Sequence, residues 1–100
     1  MSVYLAGPMT GLPEHNFPAF AAAAAALRAK GIDVLSPHEL GCDNPGEDWA
    51  WYMREDMKLL LQCDEIVMLP GWRDSRGATL EHHVAVALGM RVTEYEAVAA

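Results

Sequence analysis

Residues 65–81, EIVMLPGWRDSRGATLE, contain the pattern that decides the fold of this chain. The first five form a short apolar run typical of a buried strand, and the proline and glycine that follow are typical of a loop. Ser75 is a residue type that caps helices, and the residues after it have helical periodicity. The stretch therefore predicts a strand, a loop and a helix in succession, which is the repeating unit of a parallel sheet.

The rest of the chain repeats this alternation of strand and helix. Strands are expected at residues 3–6, 32–35, 65–69 and 90–95. Helices are expected from a cap at Asn16 to about Ala29, from Asp48 onward, and between Ser75 and Gly89. Residues 36–46, which include two prolines and two glycines, are expected to form a loop.

This order of elements predicts an α/β fold. We expect a small doubly wound sheet, flavodoxin- or Rossmann-like, of about four parallel strands with helices on both faces. Residues 1–100 are expected to form a single domain, because the chain is of ordinary domain length and no linker divides it.

The composition restricts the class of protein. With 100 residues, 52% of them hydrophobic, the chain can form one core but has no run apolar enough for a membrane segment. A formal net charge of -7 argues against a broad basic surface for polymeric nucleic acid. Cys42 and Cys63 are too few for a disulfide framework and lack the spacing of metal ligands. We expect a cytoplasmic protein with no metal and no cofactor, which binds neither a polymeric nucleic acid nor a membrane.

Two carboxylates occupy helix positions that ought to be apolar. Glu81 shares a helical face with Val84 and Ala85, and Asp56 shares one with Met53 and Leu60. Burying a carboxylate is costly unless a hydrogen-bond partner or a ligand compensates. Ligands of such sheets bind beyond the carboxyl ends of the strands, which both acids can reach. The pair therefore indicates a site, although a buried acid such as Asp56 also commonly hydrogen-bonds a neighbouring loop.

The helix start at residues 75–78 (SRGA) has the features of an anion site. It combines a hydroxyl, unpaired backbone N–H groups and the positive end of a helix dipole, which suits a phosphate. Gly77 would let the anion approach closely. Structural capping by Ser75 explains the same motif, which by itself favours that explanation. A metal site is not indicated, because His82 and His83 are adjacent and HExxH spacing is absent.

Glu81 lies in the second turn after this helix start. It would therefore lie beneath the middle of a nucleotide whose phosphate is held there, near a sugar carbon. A carboxylate at that place can stabilise an oxocarbenium-like transition state or form a covalent ester, while a second carboxylic acid assists the leaving group. We assign Glu81 as nucleophile or electrostatic stabiliser, and Asp56 as its partner in orientation or proton transfer.

Three stretches of the chain form an ordered set: residues 4–11 (YLAGPMTG), the Asp56 helix leading into residues 63–69 (CDEIVML), and residues 75–81 (SRGATLE). Together they resemble motifs of the nucleoside 2-deoxyribosyltransferase superfamily. More narrowly, the chain resembles a short branch, DUF4406, that is found in phages and bacteria and is related to 2'-deoxynucleoside 5'-phosphate N-hydrolases. The resemblance implies the α/β fold and an activity like that of a nucleotide N-glycosidase or a nucleoside deoxyribosyltransferase, with a small nucleoside or nucleotide as the partner.

The resemblance also implies roles for particular residues. Asp56 would assist and Glu81 would be the nucleophile, so the catalytic residues expected are these two. A serine and backbone groups at the helix start bind a 5'-phosphate in the N-hydrolase members. The substrate-binding residues expected are Tyr4, Gly7, Pro8, Met9, Ser75, Arg76 and Gly77. Family members commonly complete the site across a dimer interface, which implies a homo-oligomer of two or more subunits.

Three functions remain open from the sequence. The first is hydrolysis or transfer of an N-glycosidic bond of a nucleoside or (deoxy)nucleoside 5'-monophosphate, through Glu81. The second is a non-catalytic module that binds a nucleotide or signalling nucleotide in the same pocket, because a fold does not determine a function. The third is an interaction protein that uses the exposed-looking Trp49, Trp51 and Trp72, although any single aromatic more often covers the core.

Overall fold

A computed structural model of the chain describes residues 2–43 and 46–95. Within these residues the strands are β1 (Ser2–Ala6), β2 (Asp33–Leu35), β3 (Glu65–Met68) and β4 (Arg91–Glu94). The α-helices are α1 (Phe17–Ala29), α2 (Pro37–Asp43), α3 (Trp49–Leu60) and α4 (Arg76–Ala87). The ends of every strand lie within about one residue of the predicted range, the usual precision of such boundaries.

The strands form one parallel sheet in the order β2-β1-β3-β4. Tyr4 of β1 lies opposite Leu35 of β2 on one side and opposite Ile66 of β3 on the other. The chain thus moves outward in one direction from β1 and in the other direction from β3. In such sheets, ligands bind beyond the carboxyl ends of the two strands at which the direction reverses. The predicted doubly wound α/β fold is confirmed.

Successive residues of β1 point to opposite faces of the sheet and therefore enter two separate cores. On one face, Leu5 packs in a cluster with Phe20 of α1. On the other, Tyr4 packs in a cluster with Leu60, at the end of α3, and Ala85 of α4. Helices therefore cover both faces, as predicted. In residues 2–43 and 46–95, no helix combines the length and apolar character needed to cross a membrane.

The prediction of a loop at residues 36–46 is wrong in part, because α2 lies within it; residues 44 and 45 are outside the described residues. Pro37 is the first residue of α2, a position where a missing N–H and a fixed φ are tolerated. Glu39 accepts two hydrogen bonds from Arg28 of α1, at 3.0 and 2.7 Å. Arg28 also donates to the carbonyl of Val34 at 2.7 Å. The Arg28–Glu39 pair connects α2 to α1, a contact between elements that local sequence patterns do not contain.

The prediction that α1 begins after Asn16 is confirmed, but the capping hydrogen bond expected from this side chain is absent. The Asn16 side chain makes no capping hydrogen bond to α1, and its Nδ2 donates instead to the carbonyl of Pro8 at 2.9 Å. Asn16 follows Glu14 and His15, and all three have left-handed backbone conformations with φ of 60°, 52° and 53° respectively. This hydrogen bond to Pro8 connects the turn to the loop after β1. The caps of the other two predicted helices are confirmed, because Asp48 and Ser75 both accept backbone N–H groups.

Candidate functional site

A cavity of about 500 Å³ lies beyond the carboxyl end of β1, beside the start of α4, the helix that follows β3 in the chain. It is lined by the loop after β1, by the beginning of α1, by Pro37 at the start of α2, by Gly46 and Glu47 before α3, and by the amino-terminal parts of α3 and α4. Its volume is typical of small-molecule sites. Its position, at the point where the sheet reverses direction, is the one expected for a ligand in a doubly wound fold.

Most of the residues predicted for the site lie together here. The cavity lining includes Gly7, Met9, Asp56, Ser75, Gly77 and Glu81. Tyr4, Pro8 and Arg76 lie outside the lining: Tyr4 lies behind Glu81, Pro8 supplies its carbonyl to Asn16, and the guanidinium of Arg76 covers the ring of Trp49. The structure therefore places both predicted acids and the predicted helix start around the same cavity.

Glu81 points inward from the second turn of α4 and is 4% exposed. The hydroxyl of Tyr4, which is fully buried in β1, donates a hydrogen bond to Glu81 Oε2. Burial raises the pKa of Glu81 to about 8, the Tyr4 hydrogen bond opposes this rise, and the charge of Asp56 adds to it. The pKa of Tyr4 is raised well above its ordinary value by burial and then by Glu81, so the phenol stays a donor. Glu81 is thus a desolvated carboxyl with one fixed donor.

Asp56 reaches the same cavity from α3 and is 8% exposed. Its Oδ1 atom is buried and has no hydrogen-bond partner among the described residues. Burial, followed by the charge of Glu55, raises the pKa of Asp56 to about 7. A buried oxygen that lacks a partner carries a free-energy cost of about 1–3 kcal/mol. A ligand that hydrogen-bonds Asp56 would recover that cost.

The start of α4 forms another part of the wall. Ser75 Oγ accepts the backbone N–H of Ala78 at 3.2 Å, so the capping explanation of this serine is correct. A Cβ atom added at Gly77 would lie 3.2 Å from Met53 Sδ and 3.8 Å from Trp49 Nε1. The glycine therefore permits the close approach of α4 to α3, in addition to bordering the cavity. Capping does not remove the dipole or the free N–H groups of the first turn, so the anion hypothesis stays a prediction.

Gly7 is needed for close packing at the end of β1, because a Cβ atom there would lie 2.8 Å from Cβ of Leu69. Since the Leu69 atom is held by the backbone, Gly7→Ala is expected to lower the free energy of unfolding by about 1–3 kcal/mol, as overpacking does. Urea denaturation followed by circular dichroism measures this. Thr10→Ala, in the same loop, should change the free energy by less than about 0.5 kcal/mol. Equal stability of Gly7→Ala and wild type would contradict the packing argument.

Aromatic side chains form much of the apolar wall. Phe17, Trp49 and Tyr52 line the cavity, as does the imidazole-bearing His15. The sequence placed Trp49 and Tyr52 on the same helical stripe as Asp56, and this spacing was the available signal for their role. Nothing in the sequence marked Phe17, because the turn that positions it depends on the tertiary contact between Asn16 and Pro8.

The expectation that all three tryptophans look exposed is wrong for Trp72. This side chain is 6% exposed, and its indole Nε1 donates to both carboxylate oxygens of Glu94 at 3.0 and 3.1 Å. Its ring also stacks on His82 with centroids 4.4 Å apart. Trp49 and Trp51 are half-buried. Trp72 is thus a core residue that attaches β4 to the loop before α4.

The described part of the chain contains no group of three or more His, Cys, Asp or Glu side chains arranged to hold a metal ion. Two carboxyls with raised pKa values in one cleft, one of them fixed by a phenol, form an arrangement that can exchange a proton and stabilise positive charge.

Comparisons with known proteins agree with this architecture. A 2-deoxyribosyltransferase from the psychrotolerant bacterium Bacillus psychrosaccharolyticus matches with a TM-score of 0.75 and 22% identity, over 94% of this chain and 71% of that chain. A 2-deoxyribosyltransferase from Leishmania mexicana matches with a TM-score of 0.69 and 22% identity, over 94% of this chain and 63% of that one. These matches show a shared fold, which confirms the predicted resemblance at the level of the fold.

No curated protein sequence matches the chain. A family model does: that of DUF4406, described as a domain of unknown function, matches residues 1–94. The match covers all four strands and the whole cavity lining. The chain therefore belongs to the DUF4406 family.

Proposed function

We propose that this protein hydrolyses or transfers the N-glycosidic bond of a nucleoside or a (deoxy)nucleoside 5'-monophosphate. The observation that carries the proposal is the pair of buried carboxyls in one cavity: Glu81, fixed by the Tyr4 hydroxyl, and Asp56, which has a buried oxygen without a partner among the described residues. The fold shared with two 2-deoxyribosyltransferases supports the proposal by analogy.

Glu81 acts in its ionised form. As the bond between sugar and base breaks, positive charge develops on the sugar, and a carboxylate beside the anomeric carbon either stabilises it or forms an ester with it. The Tyr4 hydroxyl donates to Glu81 and so favours the ionised form against the effect of burial. It also fixes the carboxylate direction before the ligand binds. In hydrolysis, water then delivers a hydroxyl group to the sugar carbon and regenerates the free carboxylate.

Asp56 acts in its protonated form. The bond electrons leave with the base, whose nitrogen must then accept a proton, and a carboxylic acid facing the cavity can supply it. With pKa values of about 7 and about 8 for Asp56 and Glu81, the two acids titrate as a pair that holds a single proton near pH 7.5. Without ligand that proton lies mainly on Glu81, whose pKa is the higher of the two even with the Tyr4 hydrogen bond, so the proposed reaction requires the proton on Asp56 once the substrate is bound. Water restores the proton at the end of the cycle.

A 5'-phosphate would bind at the start of α4. The N–H groups of Arg76 and Gly77 are in the first turn and have no acceptor within the helix. Ser75 accepts from Ala78 through Oγ, which leaves its hydroxyl hydrogen free to be donated to a phosphate oxygen. Glu81 is five residues beyond Arg76, or about 7.5 Å along the axis, a distance that suits the sugar of the same nucleotide.

Free base is the product that tests the proposal. We expect wild-type protein to release base from at least one member of a panel of ribo- and deoxyribonucleosides and their 5'-monophosphates, detected by liquid chromatography. If the phosphate site is correct, the 5'-monophosphate should be consumed more efficiently than its nucleoside, by about tenfold or more in kcat/KM, because charge-assisted hydrogen bonds are strong. Adding a second free base to the reaction distinguishes transfer from hydrolysis, since only transfer forms a new nucleoside.

Absence of base release from every compound at high protein concentration would contradict the enzymatic proposal. Calorimetric titration with the same panel would then be decisive. Binding without release would identify a nucleotide-binding module that uses the same cavity, and the absence of both would overturn the nucleotide hypothesis.

A further inference from the structure

The side chain of Arg76 lies where the anion hypothesis alone would not place it. Its guanidinium carbon is 3.8 Å from the centroid of the Trp49 ring, and Arg76 lies outside the cavity lining although its neighbours Ser75 and Gly77 border it. Trp49, in contrast, does line the cavity. The guanidinium of Arg76, on α4, thus covers one face of the Trp49 indole, on α3.

The surroundings of Trp49 explain why it needs such a contact. Trp49 is the first residue of α3 and is half-buried. The indole lies across the gap between the two helix starts, with Nε1 3.8 Å from the place of a Gly77 Cβ atom. A guanidinium stacked on an aromatic ring contributes attraction and also excludes other ring orientations.

We propose that Arg76 is a positioning residue that holds Trp49 as a flat wall of the cavity, against which the planar heteroaromatic ring of a ligand stacks. The inference rests on the proposed function in that the ring would be the base of the nucleoside. A ring fixed in advance loses less entropy when the ligand binds, which increases affinity without an added contact. Trp49 thereby becomes a determinant of specificity for ring-bearing ligands, and the charge of Arg76 acts on the wall more than on the phosphate.

The chain contains a matched control for this pair. Arg73 lies three residues before Arg76, and its guanidinium carbon is 4.5 Å from the centroid of the Trp72 ring. Trp72 is buried and lies outside the cavity lining. The variants Arg73→Met and Arg76→Met each remove one positive charge and one guanidinium–indole stack from the same region, but only the second changes a wall of the cavity. Arg73→Met also removes an exposed ion pair with Glu94, at 3.6 Å.

The test measures binding of two kinds of probe by calorimetry. The first is the nucleoside 5'-monophosphate that binds wild type most tightly, and the second is the matching pentose 5-phosphate, which has no ring. Arg76→Met is expected to weaken binding of the monophosphate by about 5- to 20-fold and binding of the pentose phosphate by less than about twofold. Arg73→Met should change either affinity by less than about twofold.

A second measurement uses the protein without ligand. When 5-fluorotryptophan replaces its three tryptophans, the ¹⁹F spectrum should contain one signal for each, assigned with single Trp→Phe variants. Arg76→Met is expected to change the chemical shift and the line width of the Trp49 signal. The signal of Trp72 should keep its chemical shift. Arg73→Met should do the reverse. In a Trp49→Leu background, Arg76→Met should have no further effect on the monophosphate, because the residue through which it acts is gone.

Several results would overturn the inference. Equal weakening of both probes would show that Arg76 acts as a charge on the phosphate, and no weakening of either would show that the stack is dispensable. If no ring-bearing compound binds at millimolar concentration, Trp49 does not act as a wall for stacking. Suppose that Arg76→Met weakens binding of the monophosphate alone, in a protein that releases no base. The stacking role of Trp49 would then stand and only the proposed reaction would be rejected, so failure of the inference and failure of the proposed function are distinguishable.

Discussion

Glu81→Gln is expected to reduce base release by roughly 10³-fold or more, the scale on which a nucleophile or a charge-stabilising group contributes to catalysis. The amide is close to the carboxyl in size and can still accept a hydrogen bond from the Tyr4 hydroxyl, so the cavity should keep its shape. It has no negative charge with which to balance the developing cation, and it is a poor nucleophile. The substitution therefore removes the chemistry while it retains the packing. Chromatography of free base at saturating substrate measures the loss in kcat.

The informative comparison is with Glu65→Gln, which makes the same chemical change at the amino end of β3, opposite the end that carries the cavity. Glu65 accepts a hydrogen bond from Thr93, an interaction that glutamine can also make. This variant should release base at the wild-type rate, and Glu81→Gln should bind the substrate within about fivefold of wild type. Wild-type turnover by Glu81→Gln would remove this residue from the mechanism. Loss of binding together with turnover would assign it to ligand recognition instead.

The parts of the fold that were predictable are those governed by local pattern. Ser75 and Asp48 mark helix starts because a side-chain oxygen next to the first turn satisfies a nearby N–H group, which is a contact within four residues. Apolar runs predicted the strands, and the alternation of strands and helices predicted the parallel sheet. Glu81 and Asp56 were identifiable because a carboxyl on an apolar helix face is conspicuous in a helical pattern.

The parts that were not predictable depend on contacts between residues far apart in the chain. The partner of Glu81 is Tyr4, 77 residues away, and no periodic pattern specifies that pairing. Asn16 has the residue type of a cap but binds Pro8, a competing partner supplied by the tertiary fold. Arg76 belongs to an anion-binding motif, yet its side chain lies on Trp49. Propensity limits what a residue can do, and the fold then selects among the possibilities.

The stability of the protein should decrease as the pH rises from 5.5 to 8.5. Burial raises the pKa of Glu81 from 4.5 to about 8 and that of Asp56 from 3.8 to about 7, so the folded state holds these protons more tightly than the unfolded state. Where the folded state binds more protons, the free energy of unfolding falls with increasing pH. The contribution of each acid is complete below its unfolded pKa and is lost as the pH passes through its folded pKa.

We expect the two acids together to lower the free energy of unfolding by about 5 kcal/mol between pH 5.5 and 8.5, a large part of the usual stability of a small domain. Urea denaturation at several pH values measures this. His38, whose pKa burial lowers, acts in the opposite direction, but it is common to all variants and cancels when they are compared.

The comparison of variants isolates the buried acids from every other titrating group. Glu81→Gln should flatten the pH dependence and should be more stable than wild type at pH 8.5, because the fold no longer has to bury an anion. Glu65→Gln should follow the wild-type curve in parallel. A wild-type stability that is constant or increases over this range, with Glu81→Gln no flatter, would show that Glu81 is already ionised at neutral pH. If Glu81→Gln is more stable than wild type at pH 8.5 and has lost turnover, the buried Glu81 carboxyl lowers the stability of the fold while it is needed for activity.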